Sequence, residues 1–134
     1  MDLANFDLQA AADKGAELHL ENPITEEPLF TEDGKPVKIR VLGADSKEFR
    51  AAISDLAERY QGKKKTNMRA AEAHAVELLA RVTVGWDNII WEGETLKFSR
   101  ENARMLYRER KWVREQVDAF VGDRSHFFDA AKPG

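Results

Sequence analysis

A chain of 134 residues with a formal net charge of −3 and no cysteine is long enough to bury about two thirds of the surface its unfolded form exposes. The missing thiols exclude disulfides, thiolate metal sites and cysteine catalysis, and a reducing cytosol is the simplest home. Charge is uneven, with 13 acidic and 6 basic residues over 1–58 against 11 and 15 over 59–134, a split that favours a protein partner or self-association over bulk nucleic-acid binding.

Met1 to Asn5 carry neither the basic stretch nor the apolar run of a signal peptide. No segment approaches ~18 consecutive apolar residues, so a soluble, unexported protein without membrane contact is expected. Residues 3–12 predict a short frayed helix, after which Gly15, Pro23, Pro28, Gly34 and Pro36 forbid a long one. Alternation over Ala16 to Leu20 and over Val37 to Leu42 predicts two antiparallel strands joined by a turn-rich arm, with a tight turn at Asp33-Gly34.

Asp45-Ser46 offers a helix N-cap, with Glu48 three residues after Asp45 as in a capping box. Phe49, Ala52, Ile53, Leu56, Ala57 and Tyr60 then repeat at helical spacing up to Gly62. Lys63-Lys64-Lys65 is read as a solvated connector, and a second helix from about Asn67 to Val84 places Met68, Ala71, Ala75, Leu78, Leu79 and Val82 on one stripe. A short link implies that the two helices pack as a hairpin.

Gly85-Trp86 closes that helix in this reading, Ile89-Ile90-Trp91 is a brief extended segment, and Glu92-Gly93-Glu94 is a turn. Trp86 and Trp91 are expected to fill a structural corner rather than a ligand cleft, because large aromatics at a chain reversal pack where helix ends meet. Ser99 caps a third helix, with Phe98 as a hydrophobic staple and Asn102 where a full capping box would want Glu or Gln. Leu106, Val113, Val117, Phe120 and Val121 share one face of that helix if it is unbroken, and Arg100, Arg104, Arg108 and Lys111 fall nearly opposite. Trp112 fits neither stripe, so either the helix breaks near Arg108 to Lys111 or Trp112 is exposed. Phe127-Phe128 returns an aromatic pair to the body. The expected class is mainly α (α+β), one domain over 1–134: an N-terminal arm with a β-hairpin over 1–43, a helical body over 44–128 and a flexible tail over 129–134.

Catalytic signatures are missing from the sequence. There is no GxGxxG, Walker loop or nucleophile elbow. Glu72, His74 and Glu77 do not suffice as metal ligands, because only His74 and Glu77 share a helix face. No enzyme activity, cofactor or metal is therefore expected. The arginine face is read as a wet surface with pairs such as Lys111 to Glu115 and Arg114 to Asp118. The functional expectation placed on it is a protein-binding surface of Arg100, Arg104, Arg108, Lys111 and Trp112, because Trp and Arg are enriched at interface hot spots.

The order of features resembles the tail assembly chaperones of long-tailed, lambda-like bacteriophages. The residues that carry the likeness are Lys38 to Leu42 before Asp45-Ser46, Leu78-Leu79-Ala80 running into Gly85-Trp86, and Trp91-Glu92-Gly93 leading to Ser99-Arg100-Glu101-Asn102-Ala103. Val113-Arg114-Glu115-Gln116-Val117 and Phe127-Phe128 complete it, so that it spans Val37 to Phe128. The resemblance implies a helical, non-catalytic protein of the infected host's cytoplasm, absent from the mature virion. Its partners would be the tape measure protein, which it keeps soluble, and the major tail tube protein. Members are often also made in a longer, frameshifted form. Members often carry a proline between the last two helices, where this chain has Arg108 to Lys111. Two other functions compete at this point, a structural neck or tail-completion protein of the virion and a small nucleic-acid-binding regulator.

Overall fold

The structure, a computed structural model, describes residues 1–59 and 68–131. Tyr60, the Gly62 stop, the Lys63-Lys64-Lys65 connector, Asn67 and residues 132–134 of the expected tail lie outside the described residues.

Asp2 caps a 3-10 turn, Leu3–Asn5, and Asp7 caps helix α1, Leu8–Lys14. The expected single frayed helix is thus two pieces, divided because each aspartate offers its carboxylate to backbone N–H groups just downstream. Gly15, at a positive φ of 79°, turns the chain into strand β1, Ala16–His19. This strand pairs antiparallel with β2, Lys38–Val41, with Ala16 opposite Val41 and His19 opposite Lys38. The hairpin is as expected, and Ile39 and Val41 supply its buried face.

A third strand, β3, Thr83–Asp87, joins the other side of β2. It corrects the placement of Trp86, which lies in a strand opposite Ile39 rather than at a helix end. The β-branched Thr83 carries the switch. It follows helix α3, Met68–Val82, and its Oγ1 donates to Leu79 O at 2.7 Å, completing the last helical turn as the backbone becomes extended. A bulge between Arg40 and Val41 leaves Val84 without a register partner and turned outward. Gly85 then leaves room for the Arg40 guanidinium, which bonds Asp87 at 2.8 Å.

Helix α2, Lys47–Arg59, is capped by Ser46, whose Oγ accepts from Phe49 N, while Asp13 from α1 accepts from Lys47 N. The expected Asp45–Glu48 capping box does not form, because both carboxylates pair with distant arginines, Asp45 with Arg124 and Glu48 with Arg81. Among the described residues of the predicted α2 stripe, only Ala52 and Leu56 are buried, with Phe49 partly so, while Ile53 and Ala57 face out. On α3 the buried residues are Val76, Leu79, Ala80 and Val82, whereas Met68 and Ala71 are exposed. Packing against α2 on one side and the later helices on another rotates the buried stripe away from the one that periodicity alone selects.

After β3 a small hairpin, β4 (Ile90–Trp91) and β5 (Glu94–Thr95), turns at Glu92-Gly93, both at positive φ. Trp86 is buried as expected, its Nε1 donating to Leu96 O and its ring meeting Phe98 edge-on. Helix α4, Arg100–Glu109, begins at Ser99, whose Oγ accepts from Asn102 N. Asn102 reaches back as a capping-box residue would, but to Lys97 O.

The helix breaks at Arg110, extended at φ −128° and ψ 90°, and resumes as α5, Lys111–Gly122. Arg114 accounts for a break without proline. Expected on a wet face paired with Asp118, it is instead buried, and its Nη1 donates to Tyr107 O, a carbonyl that the interrupted helix leaves without its usual partner.

Helix α6, Arg124–Ala131, returns Phe127 to the core. Residues 129–131, expected in a flexible tail, continue this helix. It packs on α1, and Phe6 stacks on Phe128. Gly43 sits between them, where an added Cβ would meet Ala12 Cβ at 2.9 Å and the Phe127 ring at 3.0 Å. Gly43→Ala is therefore expected to destabilise by about 1–3 kcal/mol, the range for overpacking a closed core. Urea unfolding checks it, and an unchanged midpoint would contradict the close packing of α1 on α6.

Candidate functional site

An apolar groove opens where three parts of the chain converge: the arm between β1 and β2, the 88–92 segment, and the joint of α4 with α5. Its volume is about 450 Å³, within the range of ligand and peptide sites. Leu20, Ile89, Leu106 and Val113 form the buried floor, and Leu29, Trp91 and Trp112 are half-buried walls. Phe30 and Ile90, 56% and 52% exposed, stand at the rim.

Specific hydrogen bonds fix the arm as one wall. Its backbone bridges itself at Glu21–Pro28 and Phe30–Pro36, and His19 Nε2 donates to Leu29 O at 2.8 Å. Gln116 on α5 grips Glu21 with both ends of its amide, accepting from Glu21 N and donating to Glu21 O, each at 2.9 Å. On the other side, Asn88 Nδ2 donates to Pro36 O. These contacts hold Leu29 and Phe30 against the groove even though their segment has little regular structure.

Arg110 completes the site. Being extended, it belongs to neither flanking helix face, and its guanidinium lies 4.6 Å over the Trp91 ring. Its Nη1 donates only to Glu109 O, and among the described residues it has no carboxylate partner.

The five residues expected to form one surface lie at different places. Trp112 lines the apolar groove. Arg100 and Arg104 line a separate, charged hollow with Glu48, Asp55, Glu77, Arg59 and Arg81. There Arg104 Nε is 2.9 Å from Glu77, an ion-pair contact without hydrogen-bond alignment, and Arg81 bonds Glu48 and Asp55, each at 2.7 Å. The bond to Glu48, then that to Asp55, raises the Arg81 pKa. Arg108 is exposed and 3.8 Å from Glu109, and Lys111 is exposed. The break at Arg110 separates what a continuous helix would have aligned. Trp91, read from sequence as corner packing, is half-buried and forms a groove wall. Arg110 and the arm residues Leu29 and Phe30 also line the groove, and no motif or periodicity in the sequence marks them.

Among the described residues no helix is long and apolar enough to cross a membrane, and no three acidic or histidine side chains gather as metal ligands. Compared with known protein families, curated proteins and solved structures, the chain matches none.

Proposed function

We propose that this protein is a non-catalytic tail assembly chaperone of a long-tailed bacteriophage. In this reading it acts in the host cytoplasm, binds the tape measure protein, keeps it soluble and promotes tail tube assembly through the major tail tube protein, without entering the mature virion. The family resemblance over Val37 to Phe128 motivates the reading, and the apolar groove is the observation that supports it. Two half-buried tryptophans beside the exposed Phe30 and Ile90 make a continuous apolar surface, a feature associated with protein binding. A chaperone for a long hydrophobic helical chain needs such a surface, since an amphipathic helix docks its apolar face into a groove of this kind.

Co-expression with a tape measure protein is the direct test. Its soluble fraction is expected to rise with the native chain and to fall back with Trp112→Ser, which removes a groove wall. Unchanged solubility with the native chain refutes the proposal. Detection of the chain by mass spectrometry in purified particles would favour a structural neck or tail-completion role instead.

A further inference from the structure

We infer that the groove recognises an acidic amphipathic helix, one that seats large apolar side chains between Trp91 and Trp112 and presents a carboxylate to Arg110. This rests on the proposed function only for the occupant being a protein segment; the chemistry comes from the groove itself.

Five arginines are neutralised: Arg40 by Asp87, Arg81 by Glu48 and Asp55, Arg104 by Glu77, Arg114 by Glu72 and Arg124 by Asp45. Arg110 is the contrast. It is exposed and beside the groove, and no described carboxylate reaches it. Glu92, the other charged residue lining the groove, forms no ion pair with it. Stacking on Trp91 restrains the guanidinium before any partner arrives, so a carboxylate that binds its planar donor edge has less side-chain freedom to freeze out.

The groove thus offers a cation and an apolar slot within one side chain's reach of each other. A helix supplies the matching pair, because positions i and i+3 or i+4 stand about 5–6 Å apart on one face. Glu92 makes the polarity one-sided: an acid is favoured at Arg110 and disfavoured near the β4–β5 turn.

The test uses the full chain, labelled with ¹⁵N, and a synthetic capped helical peptide with leucines at i, i+3, i+4 and i+7 flanked by glutamates. A second peptide carries glutamine in place of each glutamate. The indole N–H signals of Trp91 and Trp112 are expected to shift with the glutamate peptide. That of Trp86, bonded to Leu96 O inside the core, should stay in place. Affinity for the glutamine peptide should be ~10-fold lower, and Arg110→Gln should reduce the glutamate peptide to the same level. Equal affinity for the two peptides on the native chain overturns the inference without any variant. So does an unmoved Trp112 indole, or an acidic preference that survives Arg110→Gln. If the peptides behave as expected while a tape measure protein gains no solubility, the groove chemistry stands and the chaperone reading falls. The reverse pattern rejects the groove and keeps the chaperone.

Discussion

Replacing Arg114 with methionine is expected to lower the unfolding free energy by about 2–3 kcal/mol, the cost of leaving a buried carbonyl without a charged donor. For a chain of this size that corresponds to roughly 8 °C in melting temperature. Methionine keeps much of the apolar stem, so the loss isolates the guanidinium. The residue is 8% exposed, and its Nη1 donates to Tyr107 O at 3.1 Å across the break at Arg110. Its second contact, Glu72 at 3.8 Å, is half-exposed on the acidic side and adds little. Glu72→Gln should therefore change stability by less than ~0.5 kcal/mol. Thermal and urea unfolding of the two variants decide the matter, and equal effects would mean that the ion pair, not the capped carbonyl, holds the joint.

The second large effect is on pH dependence. Tyr107 is fully buried, and its hydroxyl lies 2.7 Å from Thr83 Oγ1. Thr83 has one proton and gives it to Leu79 O, so Tyr107 is the donor in this pair. Burial is the main cause that pushes its pKa far above the ordinary tyrosine value. The Thr83 bond acts against it, because Thr83 can turn its proton from Leu79 O to the phenolate when Tyr107 ionises. The unfolded chain ionises this phenol near pH 10 while the folded chain retains the proton. Stability is therefore intact below about pH 10 and falls above it by up to ~1.4 kcal/mol per pH unit. Tyr107→Phe should cost about 1 kcal/mol at neutral pH and remove that alkaline slope. The comparison is urea unfolding of both proteins at about pH 9 and about pH 11. Tyr60 and the lysines are common to both and cancel. Parallel pH profiles would show that Tyr107 is free to ionise in the folded protein.

Local signals in the sequence served well where the structure is local. Ser99 caps α4 as read, Glu92-Gly93 forms the turn, and of the two alternatives that Trp112 leaves open, a helix break or an exposed ring, the structure has the break. Failures came where distant residues decide. Thr83–Asp87 looked like a decaying helix end, and only β2, more than 40 positions away, makes it a strand. Asp45 and Glu48 suited a capping box until Arg124 and Arg81 claimed them. Arg114 read as solvated because an arginine on a helix usually is, and nothing nearby announced the carbonyl that it serves. The groove is half legible: Trp91 and Trp112 stand out in the sequence, but the arm that walls it is held by Gln116 and Asn88 through contacts that no periodicity encodes.

The docking of α1 on α6 has a consequence for how the chain is made. Helix α1 meets its partner only when residues 124–131 emerge from the ribosome, and β2 gains its second neighbour only after two intervening helices have been synthesised. Until then Ala11 and Ala12 of α1 and the inner face of the hairpin lack their final cover. Folding is thus expected to finish late and to pay the closure entropy of long loops before non-local contacts repay it. A nascent chain stalled before α6 should remain protease-sensitive at α1, Leu8–Lys14.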